Sequence, residues 1–504
     1  MSIIERPSNY RAYAPRHFTP EDRNSTTILF GGANWRLERL LEGVFANLGY
    51  KSKALPRPSR DDLVRGRELA DVGQCCPTTF TTGNLANFLL AEKAVSGAED
   101  VCHRYVYVTA GSCGACRFGQ YHQSYELALR NLGLDAFRMY LLAQDGIDQG
   151  ALPGGGLRVD AHLTLGAIMA ALCSDAIRDL EFQLRPYEVV EGSVNAASHA
   201  AIEDLHKAFV SRPLWGKKWG AIAWHLTTDY FLDALRQARA RFEPLRFDRL
   251  RMKPRVAVTG EFFLQTTESD ANHKIHAWLE SEGAEVYPSL IGTWLDYNLR
   301  FYCQHFEDRV GLERFARLKA KGLRVASRVA HRTYDRIRHS LGNVPRAMPD
   351  QDEIRRLASP YFNSRLSGGE GDMLIGKSLL LHLNKKAHMI CELSPYGCMP
   401  NTMSVGAMSA AIGRYPDLLY APLEIKGDAE IHALSRCQMI LTEAKRRAQK
   451  EFEAALAVTG LTVDAARARL AQRPDLCGAF STIPSRGAAG LAASVILELE
   501  GKSL

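Results

Sequence analysis

Long apolar runs are missing from this 504-residue chain. No stretch approaches the roughly 18 uninterrupted apolar residues of a membrane-spanning helix, so no span and no membrane partner are expected. The opening Met1-Ser2-Ile3-Ile4-Glu5-Arg6-Pro7 has no apolar core of a signal peptide, which argues against secretion by that route. No short-period repeat is visible, so a solenoid or array is not expected. Charge of one sign is not in excess either. The formal net charge is only +7, from 63 Lys and Arg against 56 Asp and Glu. That balance names no partner, and with no recognisable module nucleic acid is not expected. Cysteine is sparse, odd in number at eleven, and scattered. This excludes a small disulfide scaffold and suits a reducing, cytoplasmic compartment, where thiols bind metal, react or pack.

What is present describes a globular α/β protein. Apolar residues make up 46% and charged residues 24%, and the length exceeds one ordinary core. Residues 1–24, with Pro7, Pro15 and Pro20, read as an N-terminal arm. Residues 25–157 read as a first α/β lobe: a strand over Thr26–Phe30, a helix over Trp35–Leu48, a strand over Tyr105–Ala110, a helix over Arg117–Leu132 and a strand over Phe137–Leu142. Such alternation predicts parallel strands with crossover helices. Pro153-Gly154-Gly155-Gly156 breaks the pattern. Residues 158–252 are helical in period and read as a bridge. Residues 253–458 read as a second α/β lobe, beginning with the strand Arg255–Gly260 and including a strand over His388–Leu393 and a helix over Thr402–Ile412. Residues 459–504 read as a tail of one more helix and loosely ordered sequence.

Three cysteine strings share one grammar: Cys75-Cys76-Pro77, Cys113-Gly114-Ala115-Cys116-Arg117 and Pro395-Tyr396-Gly397-Cys398-Met399-Pro400. Each is crowded by Gly or Pro, follows what reads as a strand, and opens a helical segment. Thiolates at such junctions are soft ligands on loops beside helix N-termini, the donor set of an iron–sulfur cluster. In an open parallel sheet these loops lie at the carboxyl edge, where ligands bind. The helix start after Cys116 is expected to favour its thiolate. A dithiol redox pair at Cys113 and Cys116, or half of a zinc site, are the other readings. Cys102, Cys173, Cys391, Cys437 and Cys477 lie in apolar patterns and read as core residues. Cys303-Gln304-His305 is a weak metal candidate inside a segment that reads as buried helix. Adjacent Cys75 and Cys76 point differently at a turn, so one binds and the other packs.

Other polar groups are less specific. Arg117 and His122 flank the helix start after Cys116 and serve either the site or the helix surface. Glu261 follows a strand and is a cleft group or a helix cap. Gly371-Asp372-Met373-Leu374-Ile375-Gly376-Lys377-Ser378 matches the phosphate-loop string, but no strand feeds it, so no nucleotide is expected on this chain. Basic runs over 236–255 and 317–338 read as solvated helix faces, or as a docking face for an acidic partner.

Taken together, Cys75-x-Pro77 with Gly83-Asn84, the string Gly114-Ala115-Cys116-Arg117-Phe118-Gly119-Gln120-Tyr121, Gly260-Glu261 with Asn272, Gly369-Glu370-Gly371 and Pro395–Pro400 resemble the 2-hydroxyacyl-CoA dehydratase / benzoyl-CoA reductase superfamily. The likeness, spanning about 75 to 400, is to the C-terminal, non-ATPase region of large CoA-enzyme activases and to double-cubane-cluster proteins. It implies two Rossmann-like lobes with parallel sheets and cluster ligands at Cys75, Cys116 and Cys398. Cys113 ranks lower because other residues often stand there in the family, and Cys76 is weaker than Cys75. The cofactor implied is a 4Fe–4S cluster or an 8Fe–9S double cubane. The function implied is low-potential electron transfer to a small molecule, such as a CoA thioester. ATP would be hydrolysed by a separate Hsp70/actin-like activator with its own iron–sulfur cluster, and the chain would be a homodimer. An electron-relay or scaffold subunit of a larger reductase or dehydratase is the alternative. The actin-like ATPase domain and its phosphate loops are absent from this sequence.

Overall fold

Two parallel sheets carry the architecture, with helices on their faces and between them. The computed structural model describes residues 15–70, 73–111, 116–143, 146–147, 155–366 and 369–504. In the first lobe, β1 (Thr27–Phe30), α1 (Trp35–Asn47), β2 (Lys51–Ala54), α2 (Arg60–Leu69), α3 (Cys76–Arg104), β3 (Tyr105–Gly111), α4 (Tyr121–Asn131), β4 (Arg138–Ala143) and β5 (Gly146–Ile147) follow in order. The sheet order is β2-β1-β3-β4-β5; the first four strands are parallel, and the two-residue β5 turns back antiparallel on β4. The bridge is all helix: α5 (Ala161–Leu184), α6 (Ser193–Ser211), α7 (Lys218–Thr227) and α8 (Tyr230–Arg239).

The second lobe runs through β6 (Arg255–Gly260), α9 (Phe262–Thr266), α10 (Ile275–Ser281), β7 (Glu285–Tyr287), α11 (Ile291–Asp308), α12 (Ala316–Ser340), α13 (Gln351–Ala358), α14 (Gly371–Leu383), β8 (Met389–Pro395), α15 (Met399–Arg414), β9 (Tyr420–Ile425) and α16 (Glu430–Thr459). Its sheet is parallel throughout, in the order β7-β6-β8-β9. Both lobes therefore wind alike: the chain leaves the first strand to one side, then returns to the other. The switch points fall between β1 and β3 and between β6 and β8, where an open parallel sheet parts its loops into a crevice.

The expected α/β class with two parallel-sheet lobes and a helical bridge is what the structure has. Several local expectations differ. The helix after Cys116 begins as a 3-10 turn, Arg117–Gln120, before α4. The tail is not loose. It forms α17 (Val463–Ala471), α18 (Pro474–Cys477) and α19 (Leu491–Leu499), and Val495, Ile496 and Leu497 are fully buried with Phe452 and Ala455 of α16. A nine-residue helix this apolar has nowhere to go but against another apolar face.

The bridge shares a core with the first lobe: Ile28, Leu40 and Val44 pack with Leu180, Ile202 and Leu205. The lobes also interlock. Leu63 of α2 and Phe80 of α3 enter the core of the second lobe beside Val258, Leu423 and Ile425. Among the described residues no helix is long and apolar enough to cross a membrane.

Candidate functional site

Cys116 and Cys398 stand where the carboxyl ends of β3 and β8 feed helices, each at the residue before the first helical turn. Pro400 sits in the first turn of α15, where a missing N–H leaves no hydrogen bond broken. Cys75 likewise precedes α3, but the expectation of a strand before it is wrong. The preceding element is α2, so Cys75 reaches the crevice from a helix–helix corner.

That corner is held by glycine. A Cβ on Gly66 would lie 1.8 Å from the Thr79 carbonyl oxygen, and one on Gly83 would lie 1.8 Å from that of Asp62. The α2 and α3 backbones therefore touch directly, which only glycine permits. Asn84 ties the crossing further by donating to Pro56 O and Asp62 Oδ2, both at 3.0 Å. The Cys76 amide donates to the Tyr396 carbonyl at 3.2 Å. Gly397, with φ +78°, brings its position for a Cβ within 3.5 Å of the Cys75 Cα. Cys75 and the Cys398 loop are thus locked together across the two lobes. Other residues of the resemblance have similar mechanical reasons. Gly260 (φ +127°) lies flat on the Leu393 backbone, Gly369 (φ +73°) lies on the Pro400 ring, and Asn272 donates to Leu264 O and Thr267 O at 2.8 and 2.7 Å.

The three loops meet: the Cβ position of Gly397, next to Cys398, lies 3.5 Å from the Cys75 Cα, and Cys75 Sγ lies 3.0 Å from Tyr121 Oη, five residues after Cys116. Burial pushes the Cys116 thiol up to about 12; its Phe118 amide contact opposes this, while Glu370, Glu261 and Cys75 add to it. Burial likewise pushes Cys398 up, with Glu261, Cys75 and Cys116 among the neighbours. The structure therefore brings Cys75, Cys116 and Cys398 into one group. It also corrects the expectation that the helix start makes Cys116 a thiolate: desolvation and two acidic neighbours outweigh the helix dipole, whose effect is at most about 2 kcal/mol.

Hydrogen bonds orient the sulfurs. Cys75 Sγ lies 3.0 Å from Tyr121 Oη and 3.2 Å from Thr78 Oγ1. Cys398 Sγ donates to Asn401 Oδ1 at 3.3 Å, and Asn401 Nδ2 is itself held by Glu392 at 3.0 Å. Tyr121, Asn401 and Glu370 were not singled out as site residues from sequence. Tyr121 closes the string that begins at Gly114, and Asn401 falls one helical turn after Cys398. Those were the available signals.

The remaining candidates divide. Cys76 packs with Leu63 and Phe80 in the second core, and burial raises its thiol to about 12. Cys113 lies outside the described residues. Glu261 caps α9 by accepting the Leu264 amide at 2.9 Å, and it also acts on Cys116 and Cys398, so both of its expected roles coexist. Burial pushes its carboxyl up to about 7. Arg117 Nη1 approaches Gly73, which adjoins the Cys75 corner, and Arg117 Nε and His122 Nδ1 are buried without a described partner. Cys102, Cys173, Cys391 and Cys437 are core thiols, as expected, whereas Cys477 is only half-buried. Cys303 is buried in α11 and donates to Ala320 O and Glu307. The string 371–378 lies wholly inside α14, so it forms no phosphate loop, and Lys377 points to the Ser289 hydroxyl.

Among the described residues no three His, Cys, Asp or Glu groups converge as ligands of one ion do. A cubane sets a different demand, since each thiolate binds its own iron and the sulfurs stand farther apart. The donor set here fits such a group. Three recessed thiols lie near two acids: Glu261 acts on both Cys116 and Cys398, and Glu370 on Cys116. Comparison with protein-family models finds no match, and comparison with curated proteins finds none.

Proposed function

We propose that this chain is an iron–sulfur oxidoreductase in which Cys75, Cys116 and Cys398 hold a cubane-type cluster in the crevice between the lobes. One observation carries the reading: the Cys75 corner is hydrogen-bonded to the Cys398 loop of the other lobe, from the Cys76 amide to the Tyr396 carbonyl at 3.2 Å, and Cys75 Sγ lies 3.0 Å from Tyr121, which opens the helix after Cys116. Bound there, a cluster supplies one-electron chemistry at low potential, and three thiolates leave one iron of a cubane for a small-molecule substrate, a hydroxide or a sulfide bridge to a second cubane.

The chain's own residues supply the rest. The raised thiols must release their protons to become ligands, so metal uptake is favoured by rising pH. The Tyr121 and Thr78 hydroxyls are placed to donate to the Cys75 sulfur, and hydrogen bonds to ligating sulfur raise a cluster's potential; Asn401 accepts from Cys398 only while that thiol keeps its proton. Glu261 and Glu370 are the groups placed to hold a proton beside the sulfurs. The low potential would be reached with a separate actin-like ATPase as electron donor, acting on a homodimer, as the sequence resemblance implies.

The test is anaerobic preparation with iron and acid-labile sulfide analysis and low-temperature EPR. Several irons per chain with matching sulfide are expected, and Cys116→Ser or Cys398→Ser should lose most of them. Zinc without sulfide, or unchanged iron in both variants, would overturn the reading.

A further inference from the structure

At the opposite end of the second sheet, where its strands begin, lies a cavity of about 500 Å³. Arg255 and Glu285, the first residues of β6 and β7, form part of its wall. The segment after α12, the end of α14 and the tail around Ser481–Leu491 form the rest. The volume is that of a small-molecule site.

Its lining is strongly cationic. Arg249, Arg255, Arg338, Arg346, Lys377 and Lys386 face Glu285, Asp350 and Glu353. The buried Glu285 is already engaged: it accepts from Arg255 Nε at 2.7 Å, Arg346 Nη2 at 2.6 Å and Tyr187 Oη at 2.9 Å. Arg346 also holds Asp179 at 2.6 Å, and Arg338 holds Asp335 at 3.0 Å. Among the described residues three of these cations, the buried Arg249 and Lys377 and the exposed Lys386, have no carboxylate within hydrogen-bonding reach. Arg249 is only 4% exposed; its Nη2 donates to the Gly478 carbonyl at 2.7 Å, while its Nε is buried without a partner. Lys377 is 7% exposed and meets only the Ser289 hydroxyl. Burial pushes Arg249 down to about 10 and Lys377 down to about 7, with Glu285 and Asp175 only partly offsetting it. Leu290, Leu380 and Leu491 give the same cavity an apolar side.

We propose that this cavity binds a small organic anion, its phosphate or carboxylate group meeting Arg249 and Lys386 and its apolar part lying against Leu290, Leu380 and Leu491. The site joins the second lobe to the C-terminal tail and gives the tail a role beyond packing. It does not depend on the cysteine crevice.

Isothermal titration of the full chain with phenyl phosphate and with benzoate, at constant ionic strength, tests it. Saturable one-to-one binding of at least one probe is expected, and the probe that binds identifies the headgroup. Arg249→Met should weaken that binding about tenfold or more, as loss of a buried charge-assisted hydrogen bond does. Lys386→Glu, an exposed position that does not threaten the fold, should weaken it as well. Iron content should be unchanged in both, which separates this site from the proposed cluster. No saturable binding of either probe, or unaltered affinity in either folded variant, would overturn the proposal.

Discussion

Single buried acids set measurable features of this molecule. Glu38 of α1 is 8% exposed and accepts the Ala33 amide at 3.1 Å, and burial pushes its carboxyl up to about 7. A raised carboxyl favours the folded state when protonated. Its destabilisation is therefore absent below the unfolded value near 4.5 and grows as pH rises toward 7. Glu38→Gln keeps an oxygen for the Ala33 amide without the charge. Denaturant unfolding at pH 5 and pH 8 should show the wild type losing on the order of 2–3 kcal/mol more than the variant over that interval. The choice between Cys75 and Cys76 also belongs to this scale. Sequence states only that neighbours diverge at a turn; the cores on either side decide that Cys75 faces Tyr121 and Cys76 faces Leu63 and Phe80.

At the scale of elements, the α2–α3 crossing decides where Cys75 sits. Gly83→Ala places a methyl on the Asp62 carbonyl, so the helices must separate, at about 1–3 kcal/mol or more. Iron content should fall with it, because Cys75 moves. Ser59→Ala is the contrast. It removes the capping box of α2, at about 1 kcal/mol, and leaves the crossing intact. Its chemical-denaturation midpoint should drop while its iron content holds. Strands with continuous apolar runs, such as β3, β6 and β8, were legible because burial on both faces leaves that mark. β2 was not. Its sequence, Lys51-Ser52-Lys53-Ala54, carries no apolar pattern, and it is a strand only because β1 offers it an edge to pair with. The α2–α3 corner was missed for a related reason: its signal is two glycines twelve or more residues from their contacts or on a neighbouring helix.

Across the whole molecule, buried ion pairs tie the three segments together. Arg36 of α1 holds Glu181 of α5 and, at 2.9 Å, Glu268 of the second lobe; Arg178 of α5 holds Glu268 at 3.1 Å. Burial would raise the Glu268 carboxyl, but Arg36 and Arg178 outweigh it and hold it well below the usual carboxylate range. A depressed carboxyl stabilises the fold above about pH 4.5, and that contribution is lost as pH falls. Glu268→Gln leaves two buried guanidinium groups short of an anion. At pH 7 it should cost about 3–5 kcal/mol in thermal or chemical unfolding, and its gap from the wild type should begin to narrow below about pH 4.5 and go on narrowing as pH falls further.

The sequence by itself determined the α/β class, the two lobes, the bridge and the loops that carry Cys116 and Cys398. Each of these rests on local periodicity and on Gly and Pro, whose effects act over a few residues. Tertiary structure alone decided that Cys75 joins them from a helix corner, that burial raises the Cys116 and Cys398 thiols, and that the tail closes a cationic cavity. Convergence, desolvation and charge coupling depend on residues hundreds of positions apart, and no local pattern encodes that distance.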